Sequence, residues 1–419
     1  MGKLRLTERK KLLIYKVLLF ILAFVLAFMP STVSRNMEVN SRVVVEILGL
    51  DSGEEGITVT AQYATPTETE NATTKDKVTV EAKTLTQAVE ALSTALGRRA
   101  ELGQCSVVVV GSDFDVEKLG TLMTATDVTA DVYLVAAKDK ASDLIGDLTD
   151  FMKKSGVTDA DFLAYSAKKA HIATITLLNF LSDRASASAT AFMPVVEMRK
   201  QEEDSGGSSD GGGGSDESNG GSGESNGGSG GSSGGSNGGS SGGGNGGSGG
   251  GEPPVGMKIE QLALYNEKGR VGLLEQLSAR GVAWVGSPIE KSIIVADVEY
   301  NGEIVKDVSG RLCKKCVAVH VDPATGRATV KLKAHIVPNG DKFNELDSDR
   351  SAAVTAAVKA GFEREIESEL RQAYSDAAAL DCDPFFIGRE FYRVAPDYYE
   401  EVYSQGTVTV DFDINVMLK

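Results

Sequence analysis

Histidine and cysteine are scarce in this chain: His171, His320 and His335 are the histidines, and Cys105, Cys313, Cys316 and Cys382 are the cysteines, among 419 residues. Four cysteines make no dense disulfide framework, so cross-links are not what folds the protein. Cys313-Lys-Lys-Cys316 is a lone CxxC pair. A structural zinc site needs four ligands, which so few histidines hardly supply. Incidental thiols, a local disulfide, or a redox or metal role all remain open for that pair. Cys105 opens the apolar run Ser106–Val110 and reads as a small buried hydrophobe. Basic charge is also in short supply: the formal net charge is -16, which excludes nucleic acid as a partner, because phosphate binding needs clustered Lys and Arg. No phosphate loop, nucleophile elbow or HExxH occurs, and histidine is too rare for a Ser-His-Asp triad. Catalytic, cofactor-binding and metal-ligating residues are therefore all expected to be absent.

Long hydrophobic runs are missing too, with one exception. Residues 1–11 carry Lys3, Arg5, Arg9, Lys10 and Lys11, and an apolar stretch follows from Leu12 to Pro30, interrupted by Lys16 near its start, where the side chain can snorkel. Its length of ~18 residues approaches what a helix needs to cross a bilayer. The basic flank holds that end in the cytoplasm and puts everything after it outside. A cleavable signal peptide is the competing reading, with Ser31-Thr32-Val33-Ser34 as a weak cleavage match; the long apolar core favours an uncleaved anchor.

Residues 201–254 are dominated by Gly, Ser, Asn, Asp and Glu, a composition that cannot bury a core and predicts a coil with a reach of ~35–40 Å. It is read as a linker between an N-terminal lobe, 42–200, and a C-terminal lobe, 255–419, the latter divisible near 255–310 and 311–419. In the first lobe, Arg42–Leu48 and Ile57–Tyr63 read as a strand pair around the turn Asp51–Gly56, and Lys77–Ala82 as a further strand. Thr84-Leu85-Thr86-Gln87 has capping-box spacing, Leu85, Val89, Leu92 and Leu96 share a helical face, and Gly97 closes it. Ser106–Val110 and Ala130–Ala137 read as strands, Ala141–Lys154 as a helix. In the second lobe, Ile259–Tyr265 reads as a strand, Gly272–Ala279 as a short helix, and two hairpins turn at Asn301-Gly302 and at Asp322–Gly326. Asp349–Ala379 reads as one helix ~45 Å long, with Val354, Val358, Phe362, Ile366 and Leu370 on one side. Thr407–Val416 alternates with period two. The order implies an α+β fold of antiparallel-rich sheets with packed helices, not a doubly wound one.

Other chemistry-bearing types have bland readings. His171 sits in an Ala/Ile/Thr-rich helical stretch and is expected to be structural; His320 and His335 fall in hairpin strands, where cross-strand packing suffices. Asp381, Asp383 and Glu390 surround Phe385-Phe386-Ile387-Gly388 without EF-hand spacing and read as turn-forming acids. Asp411 and Asp413 lie on the polar face of the last strand, and Asn71-Ala72-Thr73, a glycosylation sequon, marks a surface loop.

Several stretches, taken in order, are similar to one family. Val43–Asp51 followed by Gly56–Thr60, Lys83–Ala88 leading to Gly103–Gly111, and Thr129–Lys138 resemble the opening of Ger(x)C proteins. Leu262–Tyr265, Arg270–Leu274 and Ala279-Arg280-Gly281-Val282-Ala283-Trp284 resemble the family's mid-chain block, and the long acidic helix before Asp383-Pro384-Phe385-Phe386-Ile387-Gly388 its C-terminal block. Members are the C subunits of GerA-type germinant receptors in spore germination, on the outer face of the inner spore membrane, beside a permease-like subunit and an A-type subunit. No enzymatic activity is attributed to them. The resemblance implies several mixed α/β domains, those two membrane partners, an unknown germinant, and action by docking. Two features depart from the family. No lipobox cysteine stands near Ser34-Arg35-Asn36, so the apolar segment must serve as the anchor, and the Gly/Ser tract looks inserted. The competing readings are a generic envelope or adhesion module and a tethered extracellular hydrolase.

Overall fold

A computed structural model describes residues 16–22, 24, 42–54, 56–66, 73–157, 162–199, 256–286, 292–339, 341–346, 352–399 and 408–419. Residues 16–22 are helical (α1) and exposed. Among the described residues no helix is long and apolar enough to cross a membrane. Most of Leu12–Pro30, the sequon residues Asn71 and Ala72, and the tract 201–254 lie outside the described residues.

The first sheet is built on β1 (Arg42–Ser52), β2 (Ile57–Pro66) and β3 (Thr73–Ala82), an antiparallel meander. Helix α2 (Leu85–Leu96) follows, capped as its sequence predicts: Thr84 Oγ1 accepts from Gln87 N, and Gly97 takes a left-handed conformation, φ 61°. Then come β4 (Arg99–Glu101), β5 (Val107–Val110), α3 (Gly120–Ala125), β6 (Tyr133–Ala137), α4 (Ala141–Ser155), α5 (Phe162–Lys169), β7 (Ile175–Thr176), α6 (Leu177–Arg184) and β8 (Ala191–Arg199). β1, β5, β6 and β8 pair in parallel, so the centre of this sheet is parallel where an antiparallel-rich one was expected. The reason is visible in β5: all four valines are buried, which period-two alternation does not produce and coverage of both faces does. The overall class is mixed α+β.

Asp51, at the end of β1, explains one motif. Its carboxylate is buried and accepts from Ala141 N (2.6 Å) and Ser142 N (2.9 Å), capping α4 from another element. A Cβ on Gly111 would lie 2.2 Å from Asp51 Oδ1, so the glycine after the valine run leaves room for the cap.

The linker reading needs correction. β9 (Gly256–Asn266) lies antiparallel beside β8, with Arg199 opposite Gly256, and β10 (Gly269–Leu274) continues the same sheet. Residues 200–255 therefore connect two neighbouring strands of one sheet and do not separate two lobes. The first sheet runs β10-β9-β8-β6-β5-β1-β2-β3, with β4 beside β1 and β7 beside β6. The helix expected over Gly272–Ala279 is also displaced: its first residues belong to β10, because pairing with β9 outweighs local helical spacing, and α7 spans Gln276–Gly286.

The second sheet contains β11 (Ile293–Tyr300), β12 (Glu303–Asp322) and β13 (Arg327–Asn339), then α8 (Asp341–Leu346), α9 (Ala352–Ala378), α10 (Ile387–Val394), α11 (Pro396–Tyr398) and finally β14 (Thr409–Leu418). Its order is β11-β12-β13-β14, antiparallel except for β14, which the long crossover through α9 returns parallel to β13. β12 is one continuous strand where two hairpins were expected to supply separate ones, and it runs through the proposed subdivision at 310, which therefore fails. Val354, Val358, Phe362, Ile366 and Leu370 of α9 are buried, and the helix packs against β11 and β14.

Candidate functional site at the junction of the two sheets

Helices α7 and α9 meet where the two sheets join. A Cβ on Gly281 would fall 2.1 Å from Glu369 O, so this glycine is what lets the backbones approach. The close approach delivers Trp284 Nε1 to Glu369 Oε2 at 2.6 Å, and Arg280 pairs with Glu369 Oε1 at 2.7 Å. Glu369 is fully buried; burial pushes its carboxyl up to about 7, against the pull of Arg280 and the Trp284 hydrogen bond. In a helix as acidic as α9, composition alone reads Glu369 as a solvated residue. It lies in the stripe, three residues after Ile366, and that spacing was the available signal.

His171 packs edge-on to Trp284, ring centroids 4.6 Å apart, from a left-handed backbone at φ 60°. Neither ring nitrogen has a hydrogen-bond partner. Burial, then the charges of Arg280 and Lys315, push the imidazole down to about 3, so it is neutral. Lys315 donates to Ala283 O (2.6 Å) and Trp284 O (2.5 Å) in the last turn of α7, where a cation complements the helix carbonyls. Burial lowers its ammonium to about 7.

The three acids grouped by sequence divide. Asp383 is buried: Oδ2 accepts from Ser188 Oγ (2.7 Å) and Gly388 N (2.7 Å), Oδ1 from Phe385 N (3.3 Å), while its own N–H donates to Thr190 Oγ1 (2.8 Å). Ser188 Oγ also accepts from Arg389 N (2.9 Å). Asp383 thus clasps the segment before α10 to the segment before β8, well beyond turn formation. Asp381 is exposed and pairs with Lys268 at 3.6 Å; Glu390 pairs with Arg393 at 2.8 Å. Asp411 pairs with Arg327 at 3.2 Å, and Asp413 is exposed.

A groove of about 650 Å³ opens beside these clasps, lined by Asn179, Asp183, His320, Phe386, Arg389 and Arg393 among others. Arg389 lies 3.3 Å from Asp183 and 4.5 Å above the Phe386 ring. Burial raises Asp183 to about 6, with Arg389 opposing. β11 begins at Ile293, opposite Arg311, so among the described residues β12 beyond Leu312 pairs only with β13, and its other edge reaches the groove at Val317–His320. An open strand edge beside an aromatic–arginine pair suits recognition of an extended peptide segment by main-chain pairing. Sequence reading missed Asp183, Arg389 and this edge, because the two side chains meet only across distant segments and the edge shows only in the register of β11 on β12. All four thiols are free, so the local disulfide does not form: Cys313 and Cys316 are exposed, while burial lifts Cys105 to about 12 and Cys382 to about 11. Among the described residues no cluster of three or more His, Cys, Asp or Glu is arranged to hold a metal.

No curated protein sequence matches the chain. The chain is similar in structure to the crystal structure of the GerBC protein, at 11% identity with a TM-score of 0.46, covering 88% of this chain and 96% of that one. The family model for the spore germination protein N-terminal domain matches residues 35–198, and that for the spore germination B3/GerAC-like C-terminal domain matches residues 260–419. The two matches fall in the expected order on either side of the tract that links β8 to β9, and on that evidence the chain belongs to the Ger(x)C family of spore germination proteins.

Proposed function

We propose that this protein is a non-enzymatic C-type subunit of a germinant receptor in spore germination, held to the membrane by residues 12–30, with its folded body outside the cytoplasm. Its partners are a permease-like subunit and an A-type subunit in that membrane. The observation that carries the reading is the co-linear match of both family models across the two sheets. The geometry is consistent with action by contact: buried polar clasps fix the sheets together, and the groove at Arg389 and the open edge of β12 present main-chain and charged groups to a partner.

The test is affinity purification of the tagged full-length protein from detergent-solubilised membranes of a sporulating cell. The permease-like and A-type subunits should be recovered with it. Arg393→Glu, which reverses an exposed charge at the groove, should reduce their recovery about tenfold without unfolding the protein. Recovery of the chain from the soluble fraction, free of both subunits, would overturn the reading.

A further inference from the structure

The formal net charge is -16, yet one end of the outer face of the second sheet has the opposite sign. Strand register sets Arg311 between Ile293 and Val337, Lys314 opposite His335, and Cys316 opposite Lys333; Lys419 joins them at the end of β14, its N–H donating to Ile336 O. The alternate positions Ile294, Leu312, Ala334 and Ile336 are buried on the side that α9 covers, so the cations project from the opposite face. Arg311, Lys314, Lys333 and Lys419 are exposed there. None of these four has an acidic partner among the described residues, whereas farther along the same face Arg327 is paired with Asp411. Desolvation, then the charges of Lys419, Lys333 and Lys314, hold His335 below its ordinary value. Ile293 and Val295 extend the same face with exposed aliphatic side chains, 59% and 40% accessible.

We propose that this face docks on an anionic lipid headgroup surface. A sheet face that carries Lys and Arg without acidic partners among the described residues, beside aliphatic neighbours, fits a plane of phosphates above an apolar layer. The acidic remainder of the protein is repelled by the same plane, so binding through this end also orients the body. The proposal rests on the reading that residues 12–30 hold the chain at a bilayer. β1 begins at Arg42, on the order of ten residues beyond Pro30, so the start of the folded body stays within roughly 40 Å of the headgroups.

Cys316 is a native reporter: it is exposed between Lys314 and Lys333, while Cys105 and Cys382 are buried. The full-length Cys313→Ser protein is mixed with vesicles of phosphatidylcholine alone or with roughly one third phosphatidylglycerol, and the reaction of Cys316 with a neutral, water-soluble maleimide is timed. The reaction should be about fivefold slower on the anionic vesicles, recover in ~0.5 M salt where screening is short-ranged, and lose that slowing in Lys314→Glu/Lys333→Glu. Equal rates on both vesicles, for protein that floats with both, would overturn the proposal in favour of an acidic protein surface as the occupant while leaving the anchor intact. Flotation with anionic vesicles alone, reversed by salt, would support docking and refute the anchor. Failure to float with either would overturn both.

Discussion

The two sheets solve burial in different ways. In the first, the central strands are apolar on both sides: every residue of β5 is buried, as are Ala191–Val196 of β8, because helices and neighbouring strands cover both faces. In the second, β11 and β13 alternate buried with exposed positions: α9 covers one face, and among the described residues Ile293, Lys314 and Lys333 are exposed on the other. The lesson concerns function as much as stability. A sheet closed on both faces can only hold other parts in place, whereas one with an open face and a partly unpaired strand has backbone and side chains left to offer a partner. Of the surfaces implicated above, the basic end of the outer face lies on the second sheet, and the groove has β12 of that sheet on one side and Asn179 and Asp183 of α6 on the other.

The joint between the sheets should be the most sensitive point. Arg280→Ala leaves Glu369 buried without its cation, and breaking one side of such a pair costs about 3–5 kcal/mol. The raised carboxyl fixes the pH dependence. A group whose folded value lies near 7 binds its proton more readily folded than unfolded, so its ionisation destabilises the fold as pH rises from the ordinary carboxylate range through about 7. Urea titrations should accordingly find a larger loss for Arg280→Ala at pH 8 than at pH 5. Equal losses at the two pH values would mean that Glu369 carries no buried charge.

Next in size is a direct contrast of the faces. Leu48→Ala, in the first sheet and wholly inaccessible, should cost about 3 kcal/mol. Ile293→Ala, on the open face of the second, should stay within about 0.5 kcal/mol. If Ile293→Ala proved as damaging, its face would be covered in the folded protein and the division drawn between the sheets would not hold.

The same contrast explains what was legible in the sequence. Local signals were read well: the cap at Thr84, the left-handed Gly97, the face of α9 and the period-two strand at the end all depend on residues close together in the chain. Pairing between distant segments was not legible. Nothing between Met198 and Ile259 announces that the strands on either side are neighbours, so by composition alone the tract of Gly and Ser reads as a divider. At the site, Glu369 was readable in principle, because it falls on the helical spacing of the apolar stripe. The pairing of Arg389 with Asp183 and the clasp of Asp383 on Ser188 span on the order of 200 residues of chain and became visible only with the fold.

That reassignment of the tract gives the third prediction. Replacing residues 200–255 with Asn-Gly should leave both sheets folded, since Arg199 and Gly256 already pair. Closing a loop of on the order of 50 residues costs more entropy than closing a turn, at about 0.6 kcal/mol for each doubling, so the variant should gain roughly 3 kcal/mol in chemical denaturation. A molecule that unfolds or splits into two independent transitions would restore the tract to a spacer between lobes.

The smallest effect, His171, tests whether the joint is dry. Its imidazole sits at about 3 when folded and near 6.5 when unfolded, so between those values the unfolded chain holds a proton that the folded one lacks. Stability due to this group is complete above about pH 6.5 and declines as acid favours the protonated unfolded chain, by about 1.4 kcal/mol per pH unit. Glu369 titrates in the opposite sense over part of this range, which makes the wild-type profile alone ambiguous. His171→Phe keeps an aromatic ring against Trp284 and removes the titration, so the difference between the two proteins isolates His171. The wild type should lose about 1.4 kcal/mol per unit relative to the variant from pH 6 to pH 5, with parallel curves above pH 7. Parallel curves throughout would mean that water reaches the ring, and the first and second sheets would then meet across a solvated seam in place of a packed one.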